Sequence, residues 1–227
     1  MGASVIIAAA GSASRMQGID KLLCKINGKE VILYSVEAFA KARCTDKIVI
    51  VTSAEKLETV KNLVSSISEC DIEVCVGADE RQKSVLNGLA LCDEKSGCIM
   101  IHDAARPMIT SEKIDFLYRK IIDENLKAAA LGMPVKDTIK VTDESGKIIE
   151  TPKRETLYIT QTPQGFEASL YKKAFEKAIA EGKSYTDDCQ LVEALGESVY
   201  MVKGDYKNIK ITTPEDILTA QNFLKEN

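Results

Sequence analysis

A buried strand that runs directly into a loop of very small residues is the feature that most constrains this chain. Residues 5–10 are six consecutive apolar residues, which is typical of a parallel strand covered on both faces. Residues 11–14 then offer several backbone N–H groups with little side-chain bulk, and Arg15 and Lys21 place two positive charges beside them. Backbone N–H groups and cations together favour phosphate binding. A simple strand-to-helix turn is the structural alternative for this stretch.

The two best-known phosphate loops do not fit this stretch. A P-loop requires Gly-x-x-x-x-Gly-Lys-Ser/Thr, but Asp20 precedes Lys21 and Leu22 follows it. The dinucleotide fingerprint Gly-x-Gly-x-x-Gly fails because Ala13 and Met16 stand where its second and third glycines belong. The sequence therefore argues against kinases and hydride-transfer enzymes. It leaves a loop of the sugar-nucleotide-forming type, in which arginine and lysine contact a triphosphate.

Length and charge exclude several classes of partner. With 227 residues, 45% of them hydrophobic, the chain is expected to form one α/β domain over 1–227. A net charge of -4 argues against nucleic acid as the main partner. No apolar run approaches the roughly 20 residues of a membrane span, and the N-terminus lacks the layout of a signal peptide. We therefore expect a cytoplasmic protein with no membrane or nucleic-acid partner.

Cysteine and histidine usage limits the possible metal chemistry. The seven cysteines are scattered and form no Cys-x-x-Cys pair, so we expect reduced thiols. The single histidine, His102, is expected to be a packed side chain, which leaves almost nothing from which to build a zinc site or a His-based nucleophilic triad. Any metal is therefore expected to be a hard cation held by carboxylate and phosphate oxygens.

Strand and helix patterns alternate along the chain at intervals typical of βαβ units, which predicts a mostly parallel sheet. The predicted strands include residues 5–10, 47–52, 72–76, 98–102 and 128–135. Ser111 is predicted to cap the helix that follows the fourth of these strands, and a later helix is predicted to begin at about Glu167. Between them, residues 136–160 form alternating polar segments around a turn. We expect a β-arm there, too polar to form a core by itself and therefore in need of a partner.

Residues that can bind phosphate or metal follow three of these strands. The small-residue loop follows the first strand, residues 77–79 with Arg81 and Ser84 follow the third, and Asp103 and Arg106 follow the fourth. Ligands of open parallel sheets bind outside the carboxyl ends of the strands, where strand order reverses. Asp103 is there well placed to hold Mg²⁺, with a helix cap or a loop hydrogen bond as the alternative.

These residues belong to a longer series of short motifs. The series is Ala9-Ala10-Gly11 with Arg15-Met16, Lys21, Asp79-Glu80-Arg81 with Ser84-Val85, His102-Asp103-Ala104-Ala105-Arg106-Pro107, Val135-Lys136-Asp137-Thr138, Thr162-Pro163-Gln164, Thr186-Asp187 and Asn208-Ile209-Lys210. In this order and spacing the motifs resemble the 2-C-methyl-D-erythritol 4-phosphate cytidylyltransferase family, and the resemblance covers nearly the whole chain. The family's members are the CTP-using enzymes of the non-mevalonate isoprenoid route.

The resemblance implies a Rossmann-like nucleotidyltransferase fold with a mostly parallel sheet and a protruding β-arm for dimerisation. It implies an enzyme that transfers CMP from CTP to 2-C-methyl-D-erythritol 4-phosphate with a divalent cation, Mg²⁺. A cytidylyltransferase for another polyol phosphate, such as ribitol 5-phosphate, is the alternative within this fold. A nucleotide-binding regulator without chemistry is the alternative outside it, and the presence of Arg15 and Lys21 beside Asp103 argues against that reading.

The resemblance also implies a role for each site residue. Arg15 and Lys21 would hold the CTP phosphates in the transition state, Lys210 would position the attacking phosphate, and Asp103 would bind the metal. The residues implied to bind the nucleotide are Ala8, Ala9, Ala10, Gly11, Ser12, Ala78, Asp79, Arg81, Ser84 and Ala104. The residues implied to bind the acceptor are Arg106, Thr138, Arg154, Thr162, Thr186 and Lys210, with Thr138 and the catalytic Arg154 supplied by the other subunit's arm.

Three positions of this chain differ from the family's usual residues. Ala8 replaces a proline, Ala13 replaces a second glycine, and Leu22 replaces a glutamine after the lysine. None of these changes removes a charge that the implied mechanism uses. A phosphate monoester has a second pKa of about 6 and is already a nucleophile near neutral pH, so the mechanism needs no protein base.

Overall fold

The computed structural model describes residues 2–11, 16 and 18–225. Its strands, in chain order, are β1 (Ala3–Ala9), β2 (Lys25–Ile26), β3 (Lys29–Glu30), β4 (Thr45–Thr52), β5 (Asp71–Val76), β6 (Cys98–Asp103), β7 (Ala128–Pro134), β8 (Val141–Thr142), β9 (Ile148–Glu150), β10 (Tyr158–Glu167) and β11 (Tyr200–Lys203). Its α-helices are α1 (Val31–Ala40), α2 (Leu57–Val64), α3 (Arg81–Leu89), α4 (Ser111–Ile122), α5 (Ala168–Ala180), α6 (Asp188–Glu193) and α7 (Pro214–Lys225).

A seven-stranded sheet in the order β11-β7-β10-β6-β1-β4-β5 organises the described chain. β1 lies between β4 and β6 and is parallel to both, β5 continues the sheet beyond β4, and β11 is parallel to β7. Only β10 among these strands runs antiparallel to its neighbours. The predicted mostly parallel sheet is therefore confirmed. Because the chain adds β4 and β5 on one side of β1 and then β6 on the other, strand order reverses at β1.

Helices cover both faces of this sheet. One core packs α1, α2 and α4 against the sheet, and the other packs α3, α5 and α6 against the opposite face. Side chains along β1 alternate between the two cores: Val5 and Ile7 lie in the first and Ile6 in the second, all with no exposed surface. A strand buried on both faces must be apolar throughout, which explains the continuous apolar run in the sequence.

Strand β10 is the strand of the main sheet that the sequence patterns did not predict. It carries the chain from the arm into the sheet, where it lies between β6 and β7. The part inside the sheet contains buried polar side chains, among them Gln161, Thr162 and Gln164. These residues conceal the apolar alternation by which a strand is recognised. The helix predicted from about Glu167 is present as α5.

The predicted β-arm is present. Strands β8 and β9 pair in a two-stranded ribbon separate from the main sheet. The turn between them is closed by Asp143, whose Oδ1 accepts the N–H groups of Ser145 and Lys147 at 2.9 and 3.1 Å. Ile148 and Ile149 are 55% and 66% exposed, so the arm does not bury its own apolar side chains.

The N-cap of α4 is Thr110, so the prediction of Ser111 was wrong by one residue. Thr110 has extended backbone angles and its side chain accepts the N–H of Lys113, at 3.4 Å. Ser111 is already the first helical residue. In the described part of the chain, no helix combines the length and the apolar character that crossing a bilayer requires.

Close packing of α3 against the sheet depends on Gly88. A Cβ at this position would lie 2.8 Å from Val51 Cγ2 and 2.9 Å from Ile6 Cγ2, both on buried strands. We therefore predict that Gly88→Ala lowers the free energy of unfolding by up to about 2 kcal/mol, because overpacking typically costs about 1–3 kcal/mol and alanine's helix propensity offsets only about 1 kcal/mol of that cost.

Chemical denaturation of wild type and variant measures this difference. Asn62→Ala, on the exposed face of α2, is the matched alanine substitution in a helix and should leave the unfolding free energy almost unchanged. Equal or greater stability of Gly88→Ala would contradict the packing described for α3.

Candidate active site

A cavity of about 450 Å³ opens at the carboxyl ends of β1, β5 and β6. This is the edge at which open parallel sheets bind ligands, beside the strand where the order reverses. The sequence-predicted residues that line it are Ala8, Ala9, Ala10, Gly11, Lys21, Ala78, Asp79, Arg81, Ser84, Asp103 and Lys210. Ser12 and Arg15, also predicted, lie outside the described residues.

Small residues bring two loops of the cavity close together. A Cβ on Gly77 would lie 2.8 Å from Ala10 Cβ and 2.8 Å from Ser84 Oγ, so glycine permits an approach that a side chain would block. The Ser84 hydroxyl accepts the N–H of Ala78 at 2.9 Å and donates to the Ala78 carbonyl at 3.1 Å. Ser84 therefore shapes the loop after β5.

Lys21 lies close to Gly11, the first residue of the small-residue loop. Its Nζ is 3.9 Å from the position that a Cβ on Gly11 would take. Leu22, the next residue, is 2% exposed and lines the cavity from the core side. The departure at Leu22 therefore places an apolar anchor beside the lysine and leaves the ammonium group at the loop.

The carboxylate of Asp103, at the end of β6, holds two cations. Lys210 Nζ lies 3.1 Å and Arg106 Nε 3.2 Å from Asp103 Oδ2. Burial alone would raise the pKa of Asp103, but the positive charges of Lys210 and Arg106 outweigh burial and lower it to about 2. The carboxylate is therefore ionised at any physiological pH.

Asn208 stabilises the loop that carries Lys210. This residue belongs to the motif series, but no role was assigned to it from the sequence. Its carbonyl accepts a hydrogen bond from Arg106 Nη1 at 2.8 Å, and its Nδ2 donates to the Thr162 carbonyl at 2.9 Å. The N–H of Ile211 also donates to the Ala105 carbonyl at 2.8 Å. These bonds connect the Lys210 loop to the ends of β6 and β10.

Thr162 supports Asp103 from behind the cavity wall. Its Oγ1 accepts the backbone N–H of Asp103 at 3.0 Å and lies 3.0 Å from His102 Nδ1. Burial lowers the pKa of His102 to about 3, so its imidazole is neutral. The expectation of a packed histidine is confirmed, since His102 has no exposed surface and meets the Phe39 ring edge-on at 5.0 Å.

Arg81 is held at the cavity wall by a buried carboxylate that the sequence did not single out. Arg81 Nη2 lies 2.6 Å from Asp188 Oδ2, and Tyr171 donates its hydroxyl to Asp188 Oδ1 at 2.6 Å. Burial alone would lower the pKa of Arg81, but the charge of Asp188 raises it above its ordinary value. The Asp188 N–H donates to Gln164 Oε1 at 3.1 Å. Asp188 begins α6, so this network joins α3 to the segment that follows Thr186.

The other predicted residues do not line the cavity of this chain. Ala104 is fully buried and Ala105 lines the wall beside it. Thr186 is exposed and binds Gln190 Oε1 through its N–H and hydroxyl, each at 3.1 Å. Thr138 and Arg154 are exposed on the arm, where Arg154 Nη1 donates to the Lys136 carbonyl at 3.0 Å. The roles of these four residues stay predictions.

A mostly parallel sheet that presents small residues, cations and the ionised Asp103 carboxylate at its reversal point has the architecture of a Rossmann-like nucleotidyltransferase. The sequence model of IspD, 2-C-methyl-D-erythritol 4-phosphate cytidylyltransferase, matches residues 3–226. The chain therefore belongs to the 2-C-methyl-D-erythritol 4-phosphate cytidylyltransferase family.

Individual relatives agree over their full length. The chain is 43% identical to the 2-C-methyl-D-erythritol 4-phosphate cytidylyltransferase of Caldanaerobacter subterraneus subsp. tengcongensis, covering 100% of both chains. It is similar to the crystal structure of 4-diphosphocytidyl-2C-methyl-D-erythritol synthase from Anaerococcus prevotii, with 31% identity, a TM-score of 0.86 and coverage of 99% and 98% of the two chains. The corresponding Francisella tularensis cytidylyltransferase structure gives 28% identity and a TM-score of 0.81, with 98% and 99% covered.

The low pKa of Asp103 generates a prediction about Lys210. Because Lys210 is the strongest of the charges that lower it, Lys210→Ala should raise the pKa of the Asp103 carboxyl from about 2 toward 3.8. The ion pairs stabilise the fold above pH 3.8, and this contribution is lost as the pH falls toward 2. NMR titration of aspartate labelled with ¹³C at the carboxyl carbon measures the shift.

Lys173→Ala, an exposed lysine of α5 far from the cavity, is the control for the loss of one positive charge. It should leave the titration of Asp103 unchanged. An Asp103 pKa equal in wild type and Lys210→Ala would show that the 3.1 Å ion pair does not control this carboxylate.

Proposed function

We propose that this protein transfers CMP from CTP to 2-C-methyl-D-erythritol 4-phosphate and releases pyrophosphate, as a cytidylyltransferase of the non-mevalonate isoprenoid route. The observation that carries the proposal is the family match over residues 3–226, which coincides with a cavity lined by Lys21, Arg81 and Lys210. A nucleoside triphosphate brings several negative charges, and fixed cations offset these charges without reorganisation during the reaction.

The acceptor phosphate serves as the nucleophile. With a second pKa of about 6, it is largely a dianion near neutral pH and can attack the α-phosphorus of CTP directly. The protein's task is to align the two groups and to offset the charge that develops on the transferring phosphoryl group and on departing pyrophosphate. We assign the triphosphate to Arg15 and Lys21 and the acceptor phosphate to Lys210.

The titratable groups beside the cavity suit a reaction without a protein base. Asp103 is ionised, with a pKa of about 2, and is engaged by two cations. His102 is neutral, fully buried and hydrogen-bonded to Thr162, so it does not reach the cavity. Neither group is set up to exchange a proton with substrate near neutral pH, and the proposed attack requires no such exchange.

Asp103 is the residue that we propose to hold Mg²⁺. In the described chain no cluster of three or more His, Cys, Asp or Glu side chains could hold a metal by itself, so substrate phosphates and water must supply most ligands. Lys210 and Arg106 make their shortest contacts to one oxygen of this carboxylate, Oδ2. A bound Mg²⁺ would offset charge on the triphosphate.

The proposed activity is tested by pyrophosphate release from CTP with a panel of acceptor phosphates. We expect 2-C-methyl-D-erythritol 4-phosphate to give the highest kcat/KM. A higher value with ribitol 5-phosphate would favour the alternative cytidylyltransferase. CTP binding without turnover of any acceptor would favour a nucleotide-binding regulator.

Metal removal tests the proposed role of Asp103. We predict that excess chelator abolishes activity and that Asp103→Asn needs much more Mg²⁺ to reach its residual rate, because an amide oxygen carries no charge to bind the ion. Rates measured against Mg²⁺ concentration give the comparison. Full wild-type activity in excess chelator would exclude a required metal.

We further propose that the protein is a homodimer in which each arm completes the other subunit's site. Three observations support this arrangement: the arm leaves Ile148, Ile149 and Ile159 more than half exposed, it carries the implied acceptor residues Thr138 and Arg154, and neither of those lines the cavity of its own chain. We also place the protein in the cytoplasm, which the seven free cysteines support, since reducing compartments maintain thiols.

Mixing two inactive variants tests the shared site. Lys21→Ala removes a nucleotide contact and Arg154→Ala removes an arm contact, so in a mixed dimer one of the two sites receives both wild-type residues. We predict recovery of up to about a quarter of wild-type activity, because half of the dimers are mixed and each has one complete site.

Steady-state activity after co-expression measures the recovery, with pull-down through different tags as the control for subunit mixing. Activity that stays at the level of the separate variants despite verified mixing would mean that Arg154 does not act across the dimer.

A further inference from the structure

Lys21, which the proposed function places on the triphosphate, stands in a single helical turn built from residues 20–24. The N–H of Cys24 donates to the Asp20 carbonyl at 2.8 Å, which closes the turn. Backbone hydrogen bonds from the start of α1 anchor the turn. The Ile32 N–H donates to the Leu22 carbonyl at 3.1 Å, and the Val31 N–H donates to the Cys24 carbonyl at 3.0 Å. These bonds fix the base of the turn but not its first residues.

Asp20 fixes the beginning of the turn. Its Oδ1 accepts the N–H groups of Leu22 at 2.9 Å and Leu23 at 3.3 Å. The first N–H groups of a helical turn have no partner within the turn, and a side-chain oxygen that accepts them stabilises it. The two capped residues directly follow Lys21, so the cap sets the direction of the backbone from which the lysine side chain extends.

Lys56 holds the Asp20 side chain in place. Its Nζ lies 2.7 Å from Asp20 Oδ2, and the two side chains are 27% and 29% exposed. Lys56 ends the short 3-10 helix at Ala54–Lys56, which directly follows β4, the strand next to β1. Burial alone would raise the pKa of Asp20, but the hydrogen bonds from Lys56 and Leu22 outweigh it and lower the pKa. The cap is therefore ionised near neutral pH.

We propose that Asp20 is a positioning residue for Lys21, and that Lys56 holds Asp20 in place. Asp20 does not line the cavity and Lys21 does, so Asp20 acts on the reaction through the turn. The Lys56 ammonium also offsets the Asp20 charge, which reduces the repulsion between this carboxylate and the triphosphate. This inference rests on the proposed role of Lys21 in the transfer reaction.

The main variant is Asp20→Ala, which removes the cap and the ion pair. Misplacing a catalytic group by about 1 Å can cost about 100-fold, so kcat for CMP transfer should fall between about 10-fold and 100-fold. KM for CTP should rise less than kcat falls, because Lys21 contacts charge that grows in the transition state. Asp20→Asn, which keeps an acceptor oxygen for the cap but loses the ion pair with Lys56, should lower kcat less than Asp20→Ala does.

A double-variant cycle separates positioning from a merely structural role. If Asp20 acts through Lys21, Asp20→Ala added to Lys21→Ala should lower kcat by less than about twofold further. A loss through general destabilisation would appear in both backgrounds. Asp93→Ala is the matched control, because Asp93 Oδ1 also accepts an N–H two residues ahead, from Lys95 at 2.8 Å, in a turn before β6 at the opposite end of the strand from the cavity. It should leave kcat unchanged.

The outcomes are distinguishable from failure of the proposed function. Wild-type kcat in Lys21→Ala would contradict the role of Lys21 itself. If Lys21→Ala lowers kcat but Asp20→Ala does not, only this inference is overturned. The same conclusion follows if Asp20→Ala lowers kcat as much in the Lys21→Ala background as in the wild type. If Asp20→Ala does not fold, Lys56→Met decides, since the Asp20 cap oxygen is kept and only the ion pair that anchors it is lost. A kcat unchanged in Lys56→Met would overturn the proposal.

Discussion

The ion pairs of Asp103 are the interaction on which the rest of the site depends. A single carboxylate at the end of β6 holds Lys210, from a loop near the C-terminus, and Arg106, from the loop after its own strand. Arg106 in turn bonds the carbonyl of Asn208, and Asn208 bonds Thr162 of β10. One largely buried charge therefore positions parts of the chain that are about a hundred residues apart. Its removal would leave two cations without their partner, which is more costly than the loss of a surface pair.

Small residues likewise position the loops that follow β1 and β5. Gly77 allows the loop after β5 to approach Ala10, and Ser84 then holds that loop through both backbone groups of Ala78. Two cations at the cavity wall are fixed by carboxylates outside their own loops, Arg81 by Asp188 and Lys210 by Asp103. A cavity built in this way is charged and rigid before substrate arrives, which is what electrostatic stabilisation of a transferring phosphoryl group requires.

The sequence predicted the parts of the fold that local patterns encode. Strands β1, β4 and β6 each contain a continuous run of buried apolar residues, and β5 carries apolar residues at alternate positions, so their positions were predicted closely. Their carboxyl ends meet at one edge, so Gly11, Lys21 and Asp103 were expected to converge, and they do. Strand β10 was not predicted because its buried residues are polar and find partners far along the chain. The pairing of Arg81 with Asp188 spans 107 residues and has no local signature in the sequence. The pairing of Lys56 with Asp20 also has no local signature.

In the proposed reaction, the acceptor phosphate attacks the α-phosphorus of CTP in one step. The protein supplies alignment and charge but no base and no covalent intermediate. The stereochemical course at the α-phosphorus distinguishes this single step from a two-step reaction. CTP with sulfur in place of one non-bridging α-oxygen, as a single diastereomer, would be converted with 2-C-methyl-D-erythritol 4-phosphate and the product configuration assigned by ³¹P NMR. A single in-line displacement predicts inversion of configuration. Retention would require two displacements through a nucleotidyl-enzyme, and would contradict this account.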